Sequence, residues 1–118
     1  MSDSPVVLLC TDLMMTSSVS GAASAAGRKF QTIGDVSALS TCDAEALILI
    51  DLSTAGLDIA RAAETLSERQ RQAAIVYGPH VHVARFEAAR AAGFPTVIAR
   101  GQFANTLQAL VGSVPHSE

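Results

Sequence analysis

The chain has 118 residues, which fits one domain and is too short for two ordinary ones. Its residues are 49% hydrophobic and only 16% charged, which excludes an intrinsically disordered chain. The net charge of -3 provides no basic surface for nucleic acid, and no apolar run is long enough to span a membrane. Without a secretory signal at its start, we expect one cytoplasmic domain over residues 1–118.

The first quarter of the chain predicts a strand followed by a helix. An unbroken apolar run at residues 6–9 is typical of a strand that helices cover on both faces. Residues 11–15 are predicted to form a loop, and the hydroxyl groups at residues 16–18 to cap a helix that ends at Gly27.

The next segments predict an edge strand and a central strand. Residues 29–33 alternate polar and apolar side chains, which indicates a strand with one face in solvent. A short helix rich in serine and threonine is expected over residues 35–42. The strongest strand of the chain covers residues 46–50 and stops at Asp51.

The second half of the chain continues the alternation. One helix is predicted over residues 59–69, with apolar positions at 59, 62, 63 and 66 and polar ones at 61, 64, 68 and 69. A buried strand follows at residues 73–77. A helix over residues 81–92 ends at Gly93, and a last strand covers residues 96–99. The final helix has its apolar positions at Phe103, Leu107, Leu110 and Val111.

Five strand–helix repeats predict parallel strands joined by right-handed crossovers. The alternating second strand belongs at an edge, which favours the order 2-1-3-4-5 over the six-stranded dinucleotide-binding order. We therefore predict an α/β protein with three layers, α/β/α, of the flavodoxin-like class.

Sites in such sheets form at the carboxyl ends of the strands. The residues that follow the predicted strands include two acids and one base, and we expect them to converge. They are Asp12, Asp51, Gly78 and Arg100.

The segment 49–52, Leu-Ile-Asp-Leu, resembles the end of the third strand in receiver domains of two-component response regulators. The resemblance covers nearly the whole chain as a pattern of elements. It implies that Asp51 stands at the position where those proteins accept a phosphoryl group from a histidine kinase, with the help of Mg²⁺.

The resemblance is incomplete at the other site positions. It places Asp12 in the acidic pair that holds Mg²⁺ in the family, with Thr11 where the second carboxylate belongs. Gly78 stands where a serine or threonine is usual. Arg100 replaces the usual lysine, and Gly101 the proline that follows it. The resemblance therefore implies a degenerate pseudo-receiver.

These departures weaken the implied chemistry. Asp12 and Asp51 still offer two carboxylates to a weak Mg²⁺ site. Gly78 has no side chain to move toward a phosphoryl oxygen, and Arg100 is expected to pair directly with Asp51. The alternative for both acids is that they only terminate buried strands.

Other polar residues carry less specific signals. His80 and His82 are expected in solvent or at a helix cap, and Cys10 and Cys42 as reduced, buried thiols, with one disulfide as the alternative. Tyr77 is expected in the core with its hydroxyl in solvent.

The function favoured by this pattern is a signalling module without enzymatic activity that acts through protein contacts, independently of phosphorylation. Its partner is a histidine kinase or a second copy, on a surface that includes Val81, Phe103 and Leu107. The alternatives are a working phosphoacceptor that uses Asp51 and Mg²⁺, a flavin- or nucleotide-binding protein that uses the segment 16–21, and a scaffold domain.

Overall fold

The computed structural model describes residues 4–112, which form a parallel sheet covered by helices on both faces. The strand order is β2-β1-β3-β4-β5, so the predicted flavodoxin-like topology is confirmed. The strands are β1 (Val6–Leu9), β2 (Phe30–Ile33), β3 (Leu47–Asp51), β4 (Ile75–Gly78) and β5 (Val97–Ala99).

Five α-helices and one 3-10 helix connect the strands within these residues. They are α1 (Leu13–Ala25), the 3-10 helix (Val36–Thr41), α2 (Ile59–Thr65), α3 (Glu68–Ala73), α4 (Val83–Ala92) and α5 (Arg100–Gly112). No helix in this part of the chain combines the length and the apolar character that crossing a membrane requires.

The sheet separates two apolar cores because successive side chains of a strand point to opposite faces. Val6 and Leu8 point toward α1 and α5, where they meet buried residues such as Phe103. Val7 and Leu9 point toward the 3-10 helix, α2 and α4. We call these the α1/α5 core and the α2/α4 core. Strand β2 lies at the edge with Gln31 and Thr32 exposed, as its alternation predicts.

The start of α1 differs from the prediction. The helix begins at Leu13, and Asp12 is its N-cap, with Oδ1 accepting a hydrogen bond of 2.9 Å from the Met14 backbone N–H. An aspartate caps a helix as well as a serine does. The exposed Leu13 and Met14 hide the first turn from an analysis of apolar periodicity.

The segment after β3 contains a helix that periodicity does not reveal. The helix α2 ends at Thr65, and a separate helix α3 starts at Glu68. A reciprocal pair of hydrogen bonds between Ser67 and Gln70, a capping box, sets the start of α3. The Ser-x-x-Gln spacing was visible in the sequence, but α3 has no buried residue to mark it.

Candidate functional site

The centre of the candidate site is Asp51, the last residue of β3, which is only 1% exposed. Its Oδ1 accepts hydrogen bonds from the backbone N–H of Ser53 at 2.9 Å and from the Ser53 hydroxyl at 2.6 Å. Its Oδ2 accepts a hydrogen bond from the Cys10 thiol at 3.2 Å. Both carboxylate oxygens therefore already have donors inside the protein.

Cys10 is the site residue that the sequence analysis missed. Leu9 pairs with Ile50 in the parallel register, which places Cys10 beside Asp51 at the next position. The Asp12 backbone N–H donates to its sulfur at 3.2 Å. Burial raises the pKa of the Cys10 thiol, and its hydrogen bond to Asp51 raises it further, so the thiol keeps its proton. The register was the signal that could have identified this neighbour.

Asp12 and Arg100 form an ion pair at the rim of the site. The Arg100 guanidinium donates a hydrogen bond to Asp12 Oδ2, and this bond lowers the pKa of the Asp12 carboxyl and raises that of Arg100. The predicted pairing of Arg100 with Asp51 is wrong. Asp51 is buried and bonded to Ser53 and Cys10, whereas Asp12 lies at the surface within reach of α5.

Thr11, the implied second carboxylate position, is exposed. Its Cγ2 would be 3.9 Å from a Cβ added at Gly34, so the methyl group faces the end of β2.

Gly78 faces away from Asp51. A Cβ at this position would meet the Leu52 Cβ at 3.0 Å and the Phe86 Cε1 at 3.5 Å, both of which pack in the α2/α4 core. The residue of β4 on the Asp51 side is Tyr77, which pairs with Asp51 in the register and packs in the α1/α5 core. A tyrosine ring therefore fills the space beside the carboxylate.

Tyr77 is fully buried, so the prediction of a solvent-exposed hydroxyl is wrong. Its ring stacks on Phe103 with centroids 4.0 Å apart and an interplanar angle of 5°. Among the described residues, its hydroxyl has no hydrogen-bond partner of normal geometry. Burial, with a further contribution from the Asp51 charge, raises the pKa of Tyr77 so far that the phenol stays neutral.

The residues present do not fit a Mg²⁺ ion. Mg²⁺ requires a near-octahedral shell of oxygens. The expected ligands are already engaged: Asp51 with Ser53 and Cys10, and Asp12 with Arg100. Within residues 4–112, no three His, Cys, Asp or Glu side chains cluster as a metal site would need.

Of the three residues expected on a partner surface, one is exposed. Val81 is 68% exposed beside the start of α4. Phe103 and Leu107 are buried in the α1/α5 core, because they occupy the side of α5 that faces the sheet. The assignment of these two residues to a surface is wrong.

The remaining polar candidates do not form a second site. His80 is exposed, and His82 is the N-cap of α4 without a side-chain capping bond. Cys10 and Cys42 are both free, with Cys10 buried and Cys42 only half-buried, so there is no disulfide. The segment 16–21, considered for flavin phosphate, lies inside α1, and the N-terminus of that helix is already capped by the carboxylate of Asp12.

Comparison with known proteins identifies the fold. No sequence-family model and no curated protein sequence matches the chain. The crystal structure of a response regulator receiver domain from Rhodospirillum rubrum matches 97% of this chain and 99% of that chain. The TM-score is 0.65 and the sequence identity 16%. The chain therefore has the fold of a receiver domain, as the resemblance of its third strand predicted.

Proposed function

We propose that this chain is a receiver-like signalling module of the two-component type, which acts through protein contacts and without accepting a phosphoryl group. The observation that carries the proposal is the state of Asp51. This carboxylate stands at the end of β3, where the receiver fold has its acceptor, yet it is buried and both of its oxygens accept hydrogen bonds.

Phosphoryl transfer needs a carboxylate oxygen that can approach the phosphorus in line, and positive charge to stabilise the transferring group. Both oxygens of Asp51 already accept hydrogen bonds from Ser53 and Cys10, and Arg100 is paired with Asp12. The neutral Cys10 thiol lies beside Asp51, and Tyr77 is the neighbour of Asp51 on β4.

An arrangement of this kind favours one constitutive conformation over a switch. Output then depends on which protein binds and at what concentration, and we propose a histidine kinase or a second copy as the partner, in the cytoplasm. The same arrangement contains no complete set of nucleophile, base and oxyanion donors, so the proposal includes no enzymatic activity.

The test is a titration with Mg²⁺ and beryllium fluoride, which imitates a phosphoryl group on an aspartate. Backbone amide shifts are followed by NMR in the wild type and in Asp51→Asn. We expect no saturable shifts at Cys10, Asp51 or Tyr77 at millimolar Mg²⁺, and the same lack of response in Asp51→Asn. Saturable shifts at these amides that disappear in Asp51→Asn would establish the alternative, a working phosphoacceptor.

A further inference from the structure

The outer layer formed by α1 and α5 carries one charged side chain, Arg100, at the first position of α5. Residues 13–25 and 101–112 contain no Asp, Glu, Lys or Arg. The opposite layer is different: α2 contains two charged residues, and α3 and α4 contain three each. Protein surfaces normally mix charges of both signs, and the centres of protein interfaces are depleted of them.

The charges that border this layer are already satisfied. At one end Arg100 is paired with Asp12. At the other end the Arg28 guanidinium donates to the carbonyl of Ser4 at 2.8 Å and to the carbonyl of Val111 at 2.6 Å. The outward side of α1 and α5, which we call the α1/α5 face, has no charged side chain between these two ends.

The same face exposes large apolar side chains. Leu13 and Met14, in the first turn of α1, are 83% and 80% exposed. They are two of the four large hydrophobic residues that the described chain exposes. Farther along the helix, Ser17 and Gly21 are exposed and small, so another surface can approach closely.

We infer that the α1/α5 face is a dimerisation surface for a second copy of this chain. A charged partner surface would lose its hydration against this face without gaining a counter-charge. In a two-fold contact, each copy presents the same patch to the other, so a neutral patch meets an equally neutral one.

The size of the face predicts a weak dimer. Both helices have 13 residues, so each is about 20 Å long, and they pack side by side about 10 Å apart. The projected face is roughly 400 Å², compared with about 800 Å² buried per partner in a standard interface. We expect a dissociation constant in the micromolar to millimolar range.

This inference rests on the proposed function, because it names the partner of the signalling module. The dimer and the inactive Asp51 can nevertheless be disproved independently of each other. Dimerisation is measured without Mg²⁺ or a phosphoryl mimic, so a monomeric protein leaves the result at Asp51 unchanged. A response of Asp51 to beryllium fluoride, conversely, leaves the dimer measurement unchanged.

The experiment is sedimentation equilibrium of the purified full chain from about 10 µM to about 1 mM, with and without added salt. We expect a dimer that dissociates on dilution and changes little with salt, because the contact contains no ion pairs. Ser17→Arg and Ala109→Arg each place a charge on the α1/α5 face and should weaken the dimer by about tenfold or more.

The matched control is Ala91→Arg, which changes the net charge equally at an exposed alanine of α4. An arginine near a helix C-terminus is tolerated in both Ala variants, and circular dichroism verifies that all three proteins fold. A wild type that stays monomeric throughout would overturn the inference. So would a dimer that Ser17→Arg and Ala109→Arg leave intact, or one that Ala91→Arg weakens equally.

Discussion

The two sides of the sheet differ in where their polar and charged residues lie. On the α2/α4 side the core is apolar, with residues such as Leu52 and Phe94, and the helices carry charges outside. On the α1/α5 side the core encloses Cys10 and Tyr77 beside Asp51, and the helices are neutral outside. The side that encloses polar groups in its core has no charged residue at positions 13–25 and 101–112 of its helices, so the altered site and the proposed contact lie on the same half of the molecule.

The largest loss of stability is expected from removing one buried aromatic ring from each core. Phe103→Ala and Phe94→Ala remove fully buried rings and should each lower the free energy of unfolding by about 3–5 kcal/mol in urea denaturation. Only Phe103 stacks on Tyr77, the only tyrosine in a chain without tryptophan. Near-ultraviolet circular dichroism should therefore change for Phe103→Ala and not for Phe94→Ala. Equal changes in the near-ultraviolet spectra of both variants would contradict the stacking of Phe103 on Tyr77.

Gly78→Ser tests which side of the sheet position 78 faces. The new Cβ would meet Leu52 in the α2/α4 core, so we expect a loss of about 1–3 kcal/mol of unfolding free energy. The hydroxyl would also point away from Asp51 and would not restore phosphoryl binding. Gly101→Ser is the control, because no atom lies within 4 Å of an added Cβ there, and it should be neutral or slightly stabilising. A Gly78→Ser protein as stable as the wild type would contradict the packing described for β4.

Tyr77→Phe tests the cost of the polar group enclosed in the α1/α5 core. Within residues 4–112 the buried hydroxyl has no hydrogen-bond partner of normal geometry, so its removal should leave stability unchanged or raise it by about 1 kcal/mol. Urea denaturation followed by far-ultraviolet circular dichroism measures the difference. A loss above about 1 kcal/mol would mean that the hydroxyl makes a stabilising hydrogen bond.

The smallest effect concerns the ion pair at the rim. Because the hydrogen bond from Arg100 lowers the pKa of Asp12, the stability it provides is present above the unfolded pKa of about 3.9 and is lost as pH falls through the folded pKa. NMR titration of the carboxyl carbons should show Asp12 titrating below its ordinary range, and closer to that range in Arg100→Gln. Asp35 is an internal control, since Ser37 lowers its pKa instead. An Asp12 titration unaffected by Arg100→Gln would exclude the pair in solution.

The topology could be predicted because it depends on coarse patterns. Alternation at residues 29–33 placed β2 at one edge, and the unbroken apolar runs at residues 6–9, 46–50 and 73–77 placed β1, β3 and β4 inside. The contacts within the site depend on which face of the sheet each strand residue points to, and this alternates from one residue to the next. Position 78 differs from 77 by one step, and one step in a strand reverses the face to which a side chain points.

The partners that the side chains bind were harder to predict than the places of these residues at the strand ends. Asp12 and Asp51 both follow strands, but the sequence does not reveal that one is exposed to Arg100 and the other sealed by Cys10. Phe103 has helical spacing that fits a buried or an exposed stripe equally well, and only the packing of α5 on Tyr77 decides between them. The sequence therefore predicted which strand ends meet, and the three-dimensional packing determined which groups bond.

The central claim is that Asp51 is closed to phosphoryl transfer. The most direct measurement is the intact mass of the wild type and of Asp51→Asn after incubation with acetyl phosphate and Mg²⁺, taken before any aspartyl phosphate can hydrolyse. We expect both proteins to keep their unmodified mass. A wild type that gains the mass of one phosphoryl group, with no gain in Asp51→Asn, would contradict it.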